Sequence, residues 1–141
     1  GSPIGGCTNK IINTIEESGG SIVAYELCSS IRNNRELVDE NNPDVYDALA
    51  KKYLNIGCAC MMNNDKRIQL IDELIEEFKI DGVIDIALQS CHPFNVESNR
   101  IKEFVVNDKK IHYMAIETDY SQSDTEQLRT RFEAFIEMIE R

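Results

Sequence analysis

The chain has 141 residues, 25 acidic against 15 basic, and a formal net charge of -10, so it offers no basic stripe that could displace counterions from a nucleic-acid backbone. A chain of this length buries roughly 68% of the surface it exposes unfolded, enough for a core without disulfide or metal staples. No apolar run approaches the ~20 residues of a bilayer-spanning helix, and the start of the chain lacks the basic and apolar regions of a secretory signal; no membrane partner and a cytoplasmic location are expected.

Helix and strand signals alternate from one end to the other, which predicts one α/β domain over residues 1–141. Pro3-Ile4-Gly5-Gly6 reads as a turn into a helix over 8–17, with Ile11, Ile12 and Ile15 on one face and Ser18-Gly19-Gly20 ending it. The run 22–27 is the first expected strand. A polar loop through Asn33, Asn34 and Asn41 leads to Pro43, suited to the first turn of a helix that runs to about Leu54. Gly57-Cys58-Ala59-Cys60-Met61-Met62 follows, then Asn63-Asn64-Asp65 and an amphipathic helix carrying Ile68, Ile71, Leu74, Ile75 and Phe78. Asp81-Gly82 turns into a second strand, 83–88. After Cys91-His92-Pro93 come a helix over about 95–106, a third strand over 111–117 and a last helix from near Asp124 to the end.

The strands are apolar on both sides, Ile22-Val23-Ala24 and Val83-Ile84 being examples, as strands of a parallel sheet covered on both faces must be. The expected architecture is therefore three layers, a mostly parallel sheet flanked by helices in the flavodoxin or Rossmann manner. In such folds a strand usually feeds a glycine-rich turn like the one that opens this chain, so a C-terminal fragment of a longer polypeptide is expected.

Five cysteines is an odd number for a disulfide frame, and their spread suits a reducing compartment. Any one of them, taken alone, reads as a small buried apolar residue. Position separates two: Cys28 and Cys91 close the first and second expected strands. If those strands are neighbours in one parallel sheet, ~4.8 Å apart, both thiols emerge at the carboxyl edge, where open α/β sheets place ligands, and could share one inorganic cluster. Cys58 and Cys60 would point to one side of an extended segment and form a second ligand pair, or would pack beneath a helix start. Zinc is a rival, through Cys58, Cys60, Cys91 and His92, but without zinc-finger spacing. Cys7 begins a helix away from the strand ends. Glu117 and Asp119 could serve as acid and base or could favour the following helix end, and Arg129 and Arg131 could pair with Glu126 or Glu133.

Several segments together resemble a known family: Gly-Ser-Pro-Ile-Gly-Gly at 1–6, Glu-Leu-Cys at 26–28, Gln-Ser-Cys-His at 89–92, Asn-Val-Glu at 95–97, Glu-Thr-Asp-Tyr-Ser at 117–121, Gln-Leu-Arg-Thr-Arg at 127–131 and Glu-Ala-Phe at 133–135. They look like the C-terminal part of the 2-hydroxyacyl-CoA dehydratase family, subunits like the D-component of 2-hydroxyglutaryl-CoA dehydratase, which also contains benzoyl-CoA reductase subunits. The resemblance implies a component with a [4Fe-4S] cluster that receives single electrons from an ATP-dependent activator protein. It implies elimination of water from a 2-hydroxyacyl-CoA thioester through a ketyl radical, as in amino-acid fermentation. The matching ligand positions are Cys28 and Cys91; a third ligand would come from the N-terminal part of the polypeptide, a second dehydratase subunit would complete the complex, and the fragment alone would hold no cluster and be inactive. The stretch from Cys58 to Met61 with Cys91-His92 is also similar to a branch with a double-cubane cluster that reduces small substrates, in which Cys58 or Cys60 becomes a ligand. A non-catalytic scaffold with buried cysteines is the alternative of a different class.

Overall fold

In the computed structural model, which describes residues 4–61 and 63–141, the chain enters through a 3-10 turn at Gly5–Cys7 and rises into α1 (Thr8–Glu17). Ile11 and Ile15 face the core, and α1 stops where Gly19 takes φ 96°, a conformation glycine adopts without a Cβ clash. After an extended stretch the chain makes one turn of helix, α2 (Ile31–Asn34), and then α3 (Val45–Leu54), whose first amides are satisfied by the Asp44 carboxylate at 3.0 Å from Tyr46 N and 3.2 Å from Asp47 N. Pro43 thus sits just ahead of the cap. The amphipathic helix α4 (Asp65–Phe78) ends on Lys79 in the left-handed region and hands over to β1 (Gly82–Leu88).

β1 pairs in parallel with β2 (His112–Thr118), in a register running from Gly82 opposite His112 to Leu88 opposite Thr118. The crossover between them is α5 (His92–Glu103), extended by a π-helical turn at Phe104–Asp108, as a parallel pair requires. α6 (Thr125–Ile139) closes the described structure. On one face of the sheet Ile84, Ile86, Leu88, Met114 and Ile116 pack with Ile11 and Ile15 of α1 and with Leu128 and Phe132 of α6. On the other, Val83 and Tyr113 pack with Ile71 and Ile75 of α4 and with Ile101 and Val105. Phe132 and Val105 have no exposed surface, and each such side chain contributes about 1.5–3 kcal/mol by leaving water. No described helix is long and apolar enough to cross a membrane.

The α/β character and the parallel pairing agree with the pattern of the sequence, while the sheet among the described residues is only two strands wide. The run 22–27 is extended but joins no ladder among the described residues, because an apolar groove separates it from β1. Two boundaries also differ: α2 gave no periodic signal in its four residues, and α5 begins at His92, three residues early, since Pro93 fits the first turn of a helix where its missing N–H costs nothing.

Candidate functional site

Three loops at the end of the sheet where β1 and β2 finish carry four of the five thiols. Cys28 lies in the turn after the run 20–27, shaped by Ser30, whose hydroxyl donates to Tyr25 O (2.6 Å) and accepts from Leu27 N (2.7 Å). Cys91 follows β1, its N–H donating to Leu88 O at 2.9 Å, and occupies the N-cap of α5. Cys58 and Cys60 lie between α3 and α4. The segment is a turn rather than the extended piece expected, closed by Met61 N–H on Cys58 O at 2.9 Å. Even so, the two sulfurs meet: hydrogen bonding to Cys58 is the first reason the Cys60 thiol is pushed above its ordinary pKa, followed by the charge of Cys58, by burial and by the charges of Cys28 and Cys91. Cys60 therefore lies within electrostatic reach of Cys58, Cys28 and Cys91, at the rim where their loops end. Cys28, Cys58 and Cys91 are half-buried and Cys60 is exposed, whereas Cys7 is sealed in the core against α6.

A buried charge network holds these loops together. Glu26, two residues before Cys28, accepts from Arg32 Nε at 2.5 Å and from Arg67 Nη2 at 3.1 Å. Arg67, the largest fully buried side chain, also pairs with Glu97 of α5, and Asn64 Nδ2 donates to Glu97 Oε1 at 2.7 Å. Both guanidiniums stack on Phe94, with Arg32 at 5.4 Å and Arg67 at 4.7 Å from the ring centre. Two carboxylates and two guanidiniums balance, as burial demands. Burial pushes the Glu26 carboxyl up, and the positive charges around it, Arg67 and Arg32 among them, override that and hold it below the ordinary range. Glu26 and Arg32 flank Cys28, Asn64 and Arg67 follow Cys60, and Phe94 and Glu97 follow Cys91, so one network braces all three cysteine-bearing segments. Gly57 lets the Cys58 loop come this close: a Cβ there would stand 2.7 Å from Arg67 N. Arg32 Nη1 also points at Cys28 Sγ, 3.7 Å away.

Sequence reasoning singled out the thiols but gave these charged residues no role. The signal was their closeness in sequence to cysteines; that Arg67 pairs with Glu97 and Glu26 across 30 and 41 positions has no periodic trace. Of the other candidates, Glu117 is exposed and accepts from Asn95 Nδ2 at 3.2 Å, and Asp119 closes its own turn by accepting from Ser121 N at 2.8 Å. The loop after β2 is instead pinned by Lys10, whose Nζ donates to Thr118 Oγ1, Asp119 O, Ser121 O and Asp124 Oδ1 at 2.7 to 3.1 Å. Arg129 pairs with Glu17 at 2.8 Å as well as with Glu126, and Arg131 donates to Ala115 O at 2.8 Å. His92 is exposed at the start of α5.

The model of the family described as 2-hydroxyglutaryl-CoA dehydratase, D-component, matches residues 1–139. The chain belongs to this D-component family. It is 50% identical over 139 residues to YjiM of Escherichia coli (strain K12), named as a dehydratase subunit, covering 99% of this chain and 36% of that protein. It is 30% identical over 133 residues to the (R)-phenyllactyl-CoA dehydratase beta subunit of Clostridium sporogenes, covering 94% and 35%. This D-component chain thus spans about a third of the length of both relatives.

The donor set of the D-component rim suits iron in kind. Cys58 and Cys60 are hydrogen-bonded to each other, Arg32 stands beside Cys28, and the hydrogen bond to Cys58, then the charges of Cys58, Cys28 and Cys91, resist ionisation at Cys60, a conflict that a bound cation removes by holding sulfur as thiolate. In number the set is incomplete, since among the described residues no three His, Cys, Asp or Glu side chains come close enough to enclose a metal ion. The same finding leaves the zinc alternative, Cys58, Cys60, Cys91 and His92, without a formed site.

Proposed function

We propose that this chain is the thiolate-bearing part of a 2-hydroxyacyl-CoA dehydratase subunit, a lyase in its full assembly, with Cys28 and Cys91 as ligands of an iron–sulfur cluster. The observation that carries the reading is the gathering of Cys28, Cys91, Cys58 and Cys60 at one rim, braced by the Glu26–Arg67–Glu97 network, in a chain that matches the family from end to end. When bound, the cluster would supply single-electron transfer to a CoA thioester that loses water. The residues of the chain have three tasks. Cys91 presents its sulfur at the amino end of α5, as the N-cap of that helix. Arg32 donates toward Cys28 Sγ, and hydrogen bonds to ligand sulfurs raise a cluster's potential. Phe94 and the buried charge network exclude water from behind the rim.

In this reading, which follows the family resemblance, the remaining ligand comes from the N-terminal part of the same polypeptide, and the second subunit, the ATP-dependent activator and the thioester complete the assembly. The closeness of Cys58 and Cys60 to the other two sulfurs favours a second reading, a double-cubane centre acting on small substrates. Iron and acid-labile sulfide measured on the full-length protein, purified without oxygen, separate the two: about four irons per chain support the dehydratase and about eight the double cubane. A protein without iron overturns both and leaves a scaffold domain.

A further inference from the structure

Between the extended run 20–27 and the open edge of β1 lies a cavity of about 540 Å³, walled by apolar side chains that include Ile15, Ile71, Leu74, Ile75 and Phe135. Along much of its two long sides, at residues 21–24 and at Ile84 and Ile86, the backbone has no partner among the described residues. Gln89 N–H donates to Thr118 O at 2.8 Å, so by the alternation of a strand the peptide groups of Ile84 and Ile86 turn to the other edge, into the groove. Ile86 is only 7% exposed. On the facing side, Ser21, Ile22, Val23 and Ala24 make no backbone-to-backbone hydrogen bond among the described residues. Folded proteins almost never leave buried peptide groups unpaired; here the peptide groups beside buried Ile86 face the half-exposed row 21–24 across an apolar groove.

The path of α1 says what lies between them. Its first turns stand at the rim where the strands end, with Lys10 Nζ on Thr118 Oγ1 at 2.9 Å, and the helix finishes at Gly19-Gly20, in the wall of the groove near Gly82, where β1 begins. It therefore runs against the strands and sends 20–27 off parallel to β1. A helix placed this way is the crossover of a βαβ unit, whose two strands are parallel. The second of those strands is 22–27; the first has to end near Ile4, which is 3% exposed and lines the groove.

We propose that the groove is filled by a β-strand of the same polypeptide, contributed by residues upstream of Gly1 and parallel to β1. The sheet order becomes 22–27, upstream strand, β1, β2, with the new strand ~4.8 Å from each neighbour. The curated relatives are long enough to supply it, since this chain spans 36% and 35% of their lengths. Apolar walls on both faces require an apolar strand of roughly five to seven residues. A second copy is the weaker occupant, because β1 and β2 are packed between helices and leave no strand free to insert. The strand also fixes the distance between the ends of 22–27 and β1, and hence between Cys28 and Cys91, whether or not those thiols bind iron.

Amide hydrogen exchange, compared between the 141-residue chain and a longer polypeptide that includes the sequence encoded upstream of Gly1, tests the assignment. In the longer polypeptide the amides of Ile84 and Ile86 and alternate amides of residues 22–25 should exchange on the order of 100-fold more slowly than in the shorter chain, and the upstream segment itself should be protected. Equal rates in the two, protection of the shorter chain that grows with its concentration as copies associate, or a reading frame with no codons upstream of Gly1 would each overturn it. If the shorter chain does not stay folded, the longer one decides alone. Alternate amides of residues 22–25 exchanging as slowly as those of Met114 and Ile116 of β2 support the strand; exchange of all of them as fast as the loop at 37–41 removes it.

Discussion

Replacing Glu26 by glutamine tests the brace behind the thiol rim. The side chains of Arg32 and Arg67 are each 2% exposed and that of Glu26 12%, so the neutral variant leaves buried positive charge that water cannot reach. Breaking a buried pair costs about 3–5 kcal/mol, and the lower end applies because Arg67 keeps Glu97. An unfolding entropy of about 2.1 cal/mol/K per residue comes to roughly 0.3 kcal/mol/K for the chain, so a loss of about 3 kcal/mol lowers Tm by about 10 °C. Thermal unfolding followed by circular dichroism at neutral pH measures it. Adding Arg32→Met to Glu26→Gln should recover part of the loss, because the stranded charge is gone. The pH dependence has a fixed sign. The carboxyl of Glu26 titrates below its ordinary value of 4.5 in the fold, so its stabilisation is complete above that value and lost as pH falls through the lower folded one. The gap between wild type and variant should therefore close on the acid side. A Tm change under about 2 °C at neutral pH, or a gap that widens in acid, would refute the reasoning.

Gly57→Ala brings a methyl group to 2.7 Å from Arg67 N and 2.9 Å from Asn64 Oδ1; overpacking of this kind costs about 1–3 kcal/mol, and displacement of the loop should make Cys58 react with alkylating reagents nearly as fast as the exposed Cys60. Lys10→Met strips Thr118, Asp119, Ser121 and Asp124 of a shared cation whose side chain has no exposed surface. It should destabilise the fold by about 3 kcal/mol and speed amide exchange in residues 117–124, which unfolding and exchange measurements check together.

How much of this was legible in the sequence differs by element. The span of α1 follows from its isoleucine spacing and the glycines after it, and β1 and β2 from short apolar runs behind turn residues, because each signal is local. The run 22–27 carries the same signal and has the extended backbone, but pairing depends on a neighbour, and β1 stands across a groove. The thiol rim was half visible: strand-end positions pointed to Cys28 and Cys91, whereas Cys58 and Cys60 reach the same place through a turn that an extended reading would not make. The arginine–glutamate brace was not legible, since Arg32 sits in a four-residue helix and Arg67 on a helix face where charge ordinarily means solvent. The resemblance of the terminal motifs had already named the family that the comparison over residues 1–139 shows.

The visible absorption spectrum of the full-length protein, purified without oxygen, puts the proposed role of Cys28 and Cys91 to the most direct trial when wild type is set beside Cys28→Ser, Cys91→Ser and Cys7→Ser. The first two variants should lose the iron–sulfur bands and keep the circular dichroism of the fold; Cys7→Ser, altered in a residue 1% exposed within the core, should keep the bands. Bands that survive in both Cys28→Ser and Cys91→Ser would contradict the account.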